Sequence, residues 1–222
     1  MPRWLRPTAA TATEAILVGD PGRALLLAQE LLEEPKMSNH ARGLWGYYGR
    51  TPDGEELTIQ ATGIGGPSAA LVLADLAELG VRRVVRVGTC FGSAECALGE
   101  LVLVTNAIAA GGSAASFGIA VGDTVTPDAD LTERAAEALG GDGRAATVAS
   151  GDAQPDQRAL SFGVAAADMQ TAPLLARARS LGVEAAAILI VSEEPGGTAL
   201  EKEVLELAEK RAGRAASTTL SP

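Results

Sequence analysis

The stretch "LTIQATGIGGPSAALVLADLAELGVRRVVRVGT", residues 57–89, decides the fold. "LTIQATG" reads as a short strand. "GPSAALVLADLAELG" reads as a helix, with Pro67 in a first turn that needs no backbone N–H and Gly80 as its C-terminal cap. "VRRVVRVGT" is a second, buried strand. A strand, a helix and a strand in succession are the unit of an α/β protein with helices covering both faces of a largely parallel sheet.

The same alternation continues outward. "AILVG" (15–19), "ELVLVTNAIAA" (100–110), "GRAATVAS" (143–150) and "EAAAILIVS" (184–192) read as strands. "GRALLLAQELLEE" (22–34) reads as a helix that stops before Pro35. "DADLTERAAEALGG" (128–141) is a helix capped by Asp128 or Asp130, and "TAPLLARARSLG" (171–182) one that tolerates Pro173 near its start. "TALEKEVLELAEKRAG" (198–213) is an amphipathic helix that closes the domain. The expectation is one domain over 1–222, with a core of about 14–213, a peripheral arm 1–13 and a fraying tail "RAASTTLSP" (214–222).

Composition narrows the function. The chain has 222 residues, a net charge of −10 and few aromatics. A nucleic-acid surface needs a basic patch to replace phosphate counterions, and the arginines are dispersed apart from Arg82 and Arg83. Any anion must therefore be held by single arginines that folding brings together. The apolar runs are strand-sized and the N-terminus lacks a hydrophobic signal core, so no membrane partner and a cytoplasmic location are expected. Cys90 and Cys96 lack metal-ligand spacing, with His40 the one histidine, and are expected to be reduced thiols.

Ligands in such folds gather at the carboxyl ends of strands. Five such ends carry chemistry: "VGDPGR", "ATGIGGPS", "RVGTCFG", "ASGDAQPDQR" and "IVSEEPGG". In "VGDPGRA", Gly19 allows close backbone approach, a helix N-terminus offers free N–H groups and Arg23 adds a fork. Alone, this is also what an ordinary strand-to-helix turn needs. Arg86 sits inside a buried strand, where a cation is costly unless paired. It is either half of a structural ion pair or part of an anion site with the Gly88 backbone and the Thr89 hydroxyl. Arg42, in "NHARGLWGYYG", is a third candidate or a solvated surface arginine. In "VAAADMQTAPLL" (164–175), Asp168 and Gln170 interrupt an alanine-rich run, for a helix cap or for a ligand.

Taken together, "VGDPGRALLL", "NHARGLWGYYG", "ATGIGGPSAALVLADLAELG", "RVGTCFG", "DMQ" and "ILIVSEEP" resemble the nucleoside phosphorylase family of the trimeric or hexameric fold. The resemblance runs from about residue 3 to residue 212. It is to the branch of purine nucleoside, uridine and methylthioadenosine phosphorylases, and "EEPKMSNHARG" looks closest to the last. It implies phosphate-dependent cleavage of an N-glycosidic bond to a pentose 1-phosphate and a free base, with inorganic phosphate as co-substrate and no cofactor or metal. It implies that Gly19, Arg23, Arg86, Gly88 and Thr89 bind phosphate, and that Arg42 reaches the phosphate of a neighbouring subunit. A homodimer is then the minimal active unit, within a hexamer.

The nucleoside half departs from the family pattern. Asp168-Met169-Gln170 stands where the family has Glu-Met-Glu, whose second carboxylate accepts from the sugar hydroxyls. Glu193 stands where purine members carry an Asp that protonates the departing base, so it could be a general acid or, with Glu194, a solvated loop acid. Gln154 replaces an aromatic that packs on the nucleoside, Gln157 and Arg158 are adjacent rather than spaced, and Arg3 aligns with a His that lines the sugar's 5′ end across the interface. Cys90 and Phe91 complete the expected nucleoside-binding set with Arg3, Gln154, Asp168, Met169, Gln170 and Glu193; Arg86 and Glu193 are the expected catalytic pair. The sequence thus points to a nucleoside phosphorylase, or related N-glycosidase, of a purine or modified nucleoside. The alternatives are a catalytically weak member that binds a phosphate-containing ligand, or a purely structural oligomer.

Overall fold

A computed structural model of the chain describes residues 2–155 and 159–222. The first half runs β1 (Glu14–Val18), α1 (Pro21–Leu31), β2 (Glu33–Asn39), β3 (Gly46–Arg50), β4 (Glu56–Ala61), α2 (Gly65–Glu78) and β5 (Arg83–Gly92). The second runs β6 (Leu101–Ala109), β7 (Thr124–Val125), α3 (Ala129–Leu139), β8 (Arg144–Ser150), β9 (Ala166–Asp168), α4 (Thr171–Leu181), β10 (Glu184–Glu193) and α5 (Lys202–Leu220).

The α/β class holds, with a more varied sheet than the alternation implies. β1 pairs in parallel with β4 and β5, and β5 in parallel with β10. β6–β8 and β8–β9 are also parallel. The pairs β10–β6, β2–β3, β3–β4, β5–β9 and β6–β7 are antiparallel. The sheet is therefore mixed rather than largely parallel, because β2, β3 and β4 follow one another without a crossover helix and so pair antiparallel. The pairings β5–β10–β6–β8–β9–β5 also form a closed circuit, so half of the sheet curls into a barrel while β1, β4, β3 and β2 extend from it.

Side chains alternate between the two faces, as the two-residue strand period requires. Ala15, Leu17, Val84, Ala187 and Leu189 face a core shared with α2 and α4. Ile16, Val18, Val85, Val87, Ile188 and Ile190 face the one shared with α1, α3 and α5. Arg86 and Gly88 keep step with Val84 and so lie on the α2/α4 face, at the carboxyl half of β5.

Caps place most boundaries where the sequence put them. Asp20 accepts from the Arg23 N–H with Pro21 in the first turn of α1, and Asp128, the first of its two candidates, caps α3. Two expectations fail. α1 ends at Leu31, not Glu34, and an edge strand follows. β2 absorbs Pro35 because the register slips between Glu33 and Lys36, with Glu34 at φ 45, so no ladder N–H is required of the proline.

The C-terminal tail does not fray. α5 continues to Leu220, burying Ala215, Ala216, Thr219 and Leu220. Gly213 explains the close docking: a Cβ there would stand 2.5 Å from Leu27 of α1. Arg83 donates to the Leu220 carbonyl at 3.1 Å, and Arg134 donates to that of Ser221. Leu220→Ala should therefore lower unfolding free energy by about 2–4 kcal/mol, as for other buried leucines. Urea denaturation checks it; a loss under about 0.5 kcal/mol, the surface value, would mean an unpacked tail.

Candidate active site

The carboxyl ends of β1, β4, β5, β9 and β10 and the starts of α1, α2 and α4 open on one cavity of about 480 Å³. Its lining includes Gly19, Arg23, Arg42, Arg86, Gly88, Thr89, Cys90, Phe91, Asp168, Met169, Gln170 and Glu193. Folding thus brings together residues up to 174 positions apart, from Gly19 to Glu193. Arg3 and Gln154 are not in this lining; both are exposed, and Pro155 lines the cavity beside Gln154. Gln157 and Arg158 lie outside the described residues.

Arg86 is 4% exposed and fully oriented from below. Its Nη2 donates to Asp168 Oδ2 at 2.8 Å, its Nη1 to Gln170 Oε1 at 2.8 Å and its Nε to the Thr171 hydroxyl at 3.2 Å. A guanidinium carries five N–H donors, so these three bonds leave two for a ligand. The structural ion pair and the cavity position are both real. Gly88 is required by this pose: a Cβ there would stand 2.4 Å from Arg86 Nη2.

Asp168 lies two residues ahead of Gln170, the N-cap residue of α4, and its carboxylate is tied to the chain around it. Its carboxylate accepts from the backbone N–H of Gln170 at 3.2 Å and of Thr171 at 3.1 Å, and from the Ser150 hydroxyl at 2.5 Å. It also accepts from the Thr171 hydroxyl at 2.7 Å and from Arg86. Its side chain is 1% exposed. Asp168 thus starts α4 and neutralises Arg86, and its carboxylate is not turned toward a ligand.

Gln170 is equally committed. Beyond Arg86, its Oε1 accepts from the Thr62 hydroxyl at 3.4 Å. Its Nε2 donates to the Gly63 carbonyl at 2.5 Å and the Gly65 carbonyl at 3.4 Å. Gln170, expected among the nucleoside-binding residues, lines the cavity with its amide bonded between Arg86 and the β4–α2 turn. Of the three-residue run, Met169 is the half-exposed one.

Arg23 reaches the cavity from the opposite face of the sheet. Its Nε pairs with Glu209 of α5 at 2.7 Å, and its Nη1 donates to the Val87 carbonyl at 3.4 Å. Three N–H donors stay free of those two bonds. Glu209 is a functional support that the sequence reading missed, since it reads there as one more acid of an amphipathic helix. Its signal is a carboxylate in line with the buried Ala208 and Ala212 stripe.

Arg42 is exposed at the cavity mouth, with its guanidinium 4.9 Å from the centre of the Trp4 ring. Its backbone is left-handed at φ 60, followed by Gly43 at φ 70. Arg3 flanks the same ring at 5.7 Å, and the arm is fastened by the Asp75 carboxylate, which accepts from the N–H groups of Arg3, Trp4 and Leu5 at 2.9, 2.5 and 2.7 Å.

Thr89 and Glu193 are half-buried in the lining, and neither side chain has a hydrogen-bond or ion-pair partner among the described residues. Both are therefore free to meet a ligand. A register slip between Val191 and Glu193 sets Glu193 opposite Phe91 at the end of β10. Cys90 and Cys96 are buried free thiols, and no cluster of metal-ligating side chains occurs among the described residues. No helix there is long and apolar enough to cross a membrane.

Burial, reinforced by the nearby Asp168 charge, pushes the Cys90 thiol well above its ordinary range. The folded state thus holds this proton more tightly than the unfolded chain. The associated stability is intact below the ordinary thiol pKa, about 8.5, and is lost as pH rises above it. Urea unfolding across that range should show a steeper alkaline loss for the natural chain than for Cys90→Ala; equal slopes would contradict the assignment. Asp168→Ala leaves Arg86 buried without its counter-charge and should cost about 3–5 kcal/mol by the same measurement; a loss below 1 kcal/mol would show that the pair is unimportant.

Known proteins resemble this chain over most of its length. A profile of the Phosphorylase superfamily matches residues 13–221. A DeoD-type purine nucleoside phosphorylase of Clostridium beijerinckii is 30% identical over 203 residues, covering 84% of this chain and 83% of that protein. One of Caldanaerobacter subterraneus is 32% identical over 195 residues, covering 82% and 83%. The crystal structure of a uridine phosphorylase from Vibrio fischeri superposes with a TM-score of 0.83 at 23% identity, covering 95% of this chain and 92% of that one.

Proposed function

The chain belongs to the phosphorylase superfamily, and from that premise we propose that it cleaves the N-glycosidic bond of a purine nucleoside with inorganic phosphate. The observation that supports this most is the cavity that Arg23 and Arg86, each fixed by a buried carboxylate, line together with Thr89 and with a Glu193 that has no partner among the described residues. The free N–H groups of the two guanidiniums and the Thr89 hydroxyl hold the phosphate. A phosphate oxygen forms the bond to the anomeric carbon as the C–N bond breaks with its electron pair on the base. The dianion stabilises the positive charge that develops on the sugar, and fixed donors need no reorganisation to keep it in place. The Glu193 carboxyl is the group placed to pass a proton to the departing base. The chemistry calls for no metal or cofactor.

Arg42 and Arg3, both exposed beside Trp4, are the residues through which a second copy could complete the site. A homodimer as minimal active unit, and a hexamer built from it, follow from this reading.

A specific observation favours a second reading. Neither Asp168 nor Gln170 has an acceptor free for a sugar, as in a catalytically weak member that binds a phosphate-containing ligand. Phosphate-dependent base release across purine, pyrimidine and 5′-modified nucleosides separates the two. The expected result is turnover of purines, reduced about 10²–10³-fold by Arg86→Ala. Glu193→Gln should lower kcat by about 10²–10⁴-fold, with phosphate affinity kept. Ligand binding by calorimetry without turnover of any nucleoside would sink the phosphorylase reading.

A further inference from the structure

Arg23, Arg42 and Arg86 all line the cavity, but they are held in two different ways. Arg23 and Arg86 each meet a buried carboxylate. Arg42 meets a ring instead. Its guanidinium lies 4.9 Å from the centre of Trp4, and its side chain has no hydrogen-bond or ion-pair partner among the described residues. A carboxylate orients a cation and cancels its charge; a ring face orients it and leaves the charge whole.

The chain is built to keep that contact. Arg42 sits at φ 60, a left-handed backbone that a residue with a side chain adopts where its surroundings impose it. Asn39, 2% exposed, ties its turn to the N-terminal arm: Oδ1 accepts from the Arg6 N–H at 2.7 Å, and Nδ2 donates to the Ala41 and Leu44 carbonyls. The Thr8 N–H donates to the Ser38 carbonyl at 2.7 Å. From α2, the Asp75 carboxylate takes the N–H groups of Arg3, Trp4 and Leu5. Trp4 is thus fixed to α2, while Asn39 joins its arm to the turn that carries Arg42.

We propose that Trp4 is a positioning residue for Arg42: it holds the guanidinium at the cavity mouth with its charge uncancelled, and Arg42 supplies the net positive charge that binds the anionic co-substrate. The proposal rests on the phosphorylase reading above and gives a role to a residue outside the cavity lining. With Arg23 and Arg86 already offset in a chain of net charge −10, an uncancelled cation is what draws in a phosphate dianion. Arg3, 5.7 Å from the same ring and likewise without a carboxylate among the described residues, adds to that field.

The test is phosphorolysis of inosine by the full chain as it assembles in solution, so that Arg42 is read in whichever copy's cavity it serves. Trp4→Leu keeps apolar bulk and removes the ring; Trp4→Phe keeps a ring. Trp4→Leu should raise the phosphate KM about two- to fivefold, the worth of an exposed cation–ring contact, without raising the inosine KM, and Trp4→Phe should recover most of that loss. In an Arg42→Ala background Trp4→Leu should add nothing further. A full rise in that background, an equal rise in both KM values or an unchanged phosphate KM overturns the proposal. A second measurement needs no change at Trp4: salt should raise the phosphate KM of the natural chain more than that of Arg42→Ala, and equal salt dependence overturns the claim of uncancelled charge. If no nucleoside is turned over, the phosphorylase reading fails on its own. Calorimetry with inorganic phosphate then decides the role of Trp4: binding weakened by Trp4→Leu and recovered by Trp4→Phe supports it, and equal binding by all three chains overturns it.

Discussion

A guanidinium buried inside a central strand is the constraint around which this molecule is arranged. Arg86 cannot stay charged at that depth unless its donors are met and its charge is offset. The chain answers from three directions. Asp168 supplies the counter-charge, Thr171 a hydroxyl and Gln170 an amide oxygen. These three residues begin α4, so capping the helix and neutralising the strand are one event. β9, only three residues long, exists to deliver Asp168 to that point, paired between β5 and β8. Gly88 leaves the room in which the guanidinium lies.

Arg23 repeats the solution from the other face. It descends from the start of α1 and is fixed by Glu209 of α5, while its Nη1 touches the β5 backbone one residue beyond Arg86. Two cations from opposite layers thus line one cavity at the carboxyl ends of the parallel strands, each with its own carboxylate. The pairing cancels charge but not donors: N–H groups of both guanidiniums are left over from these bonds. Balanced in this way, the site can stand preformed in an acidic protein of net charge −10.

Much of this was legible in the sequence, and what was not has physical causes. Glycine turns, caps and two-residue alternation are local, so β1, β4, β5, α2 and α3 lie where the residues place them. The cost of Arg86 in a buried run was also legible, but its partner lies 82 residues away, and contacts at such separation leave no periodic trace. Glu209 was hidden because a helix with acids on its face looks the same whether one of them is solvated or buried. The two glycine carbonyls that claim the Gln170 amide were not legible, because they lie 107 and 105 residues away along the chain. The tail was misread because alanine and threonine lack bulk; smallness is what lets α5 lie close on its neighbours.

The central claim is that Arg86, held by Asp168 and Gln170, forms a preformed anion seat beside a nucleoside. A crystal structure of the protein grown with phosphate and a purine nucleoside tests it most directly. The account predicts a phosphate contacting Arg23, Arg86 and Thr89, with the Gln170 amide still bonded to the Gly63 carbonyl and Glu193 facing the base. A phosphate bound elsewhere, or Gln170 swung out of its seat onto the sugar, would contradict it.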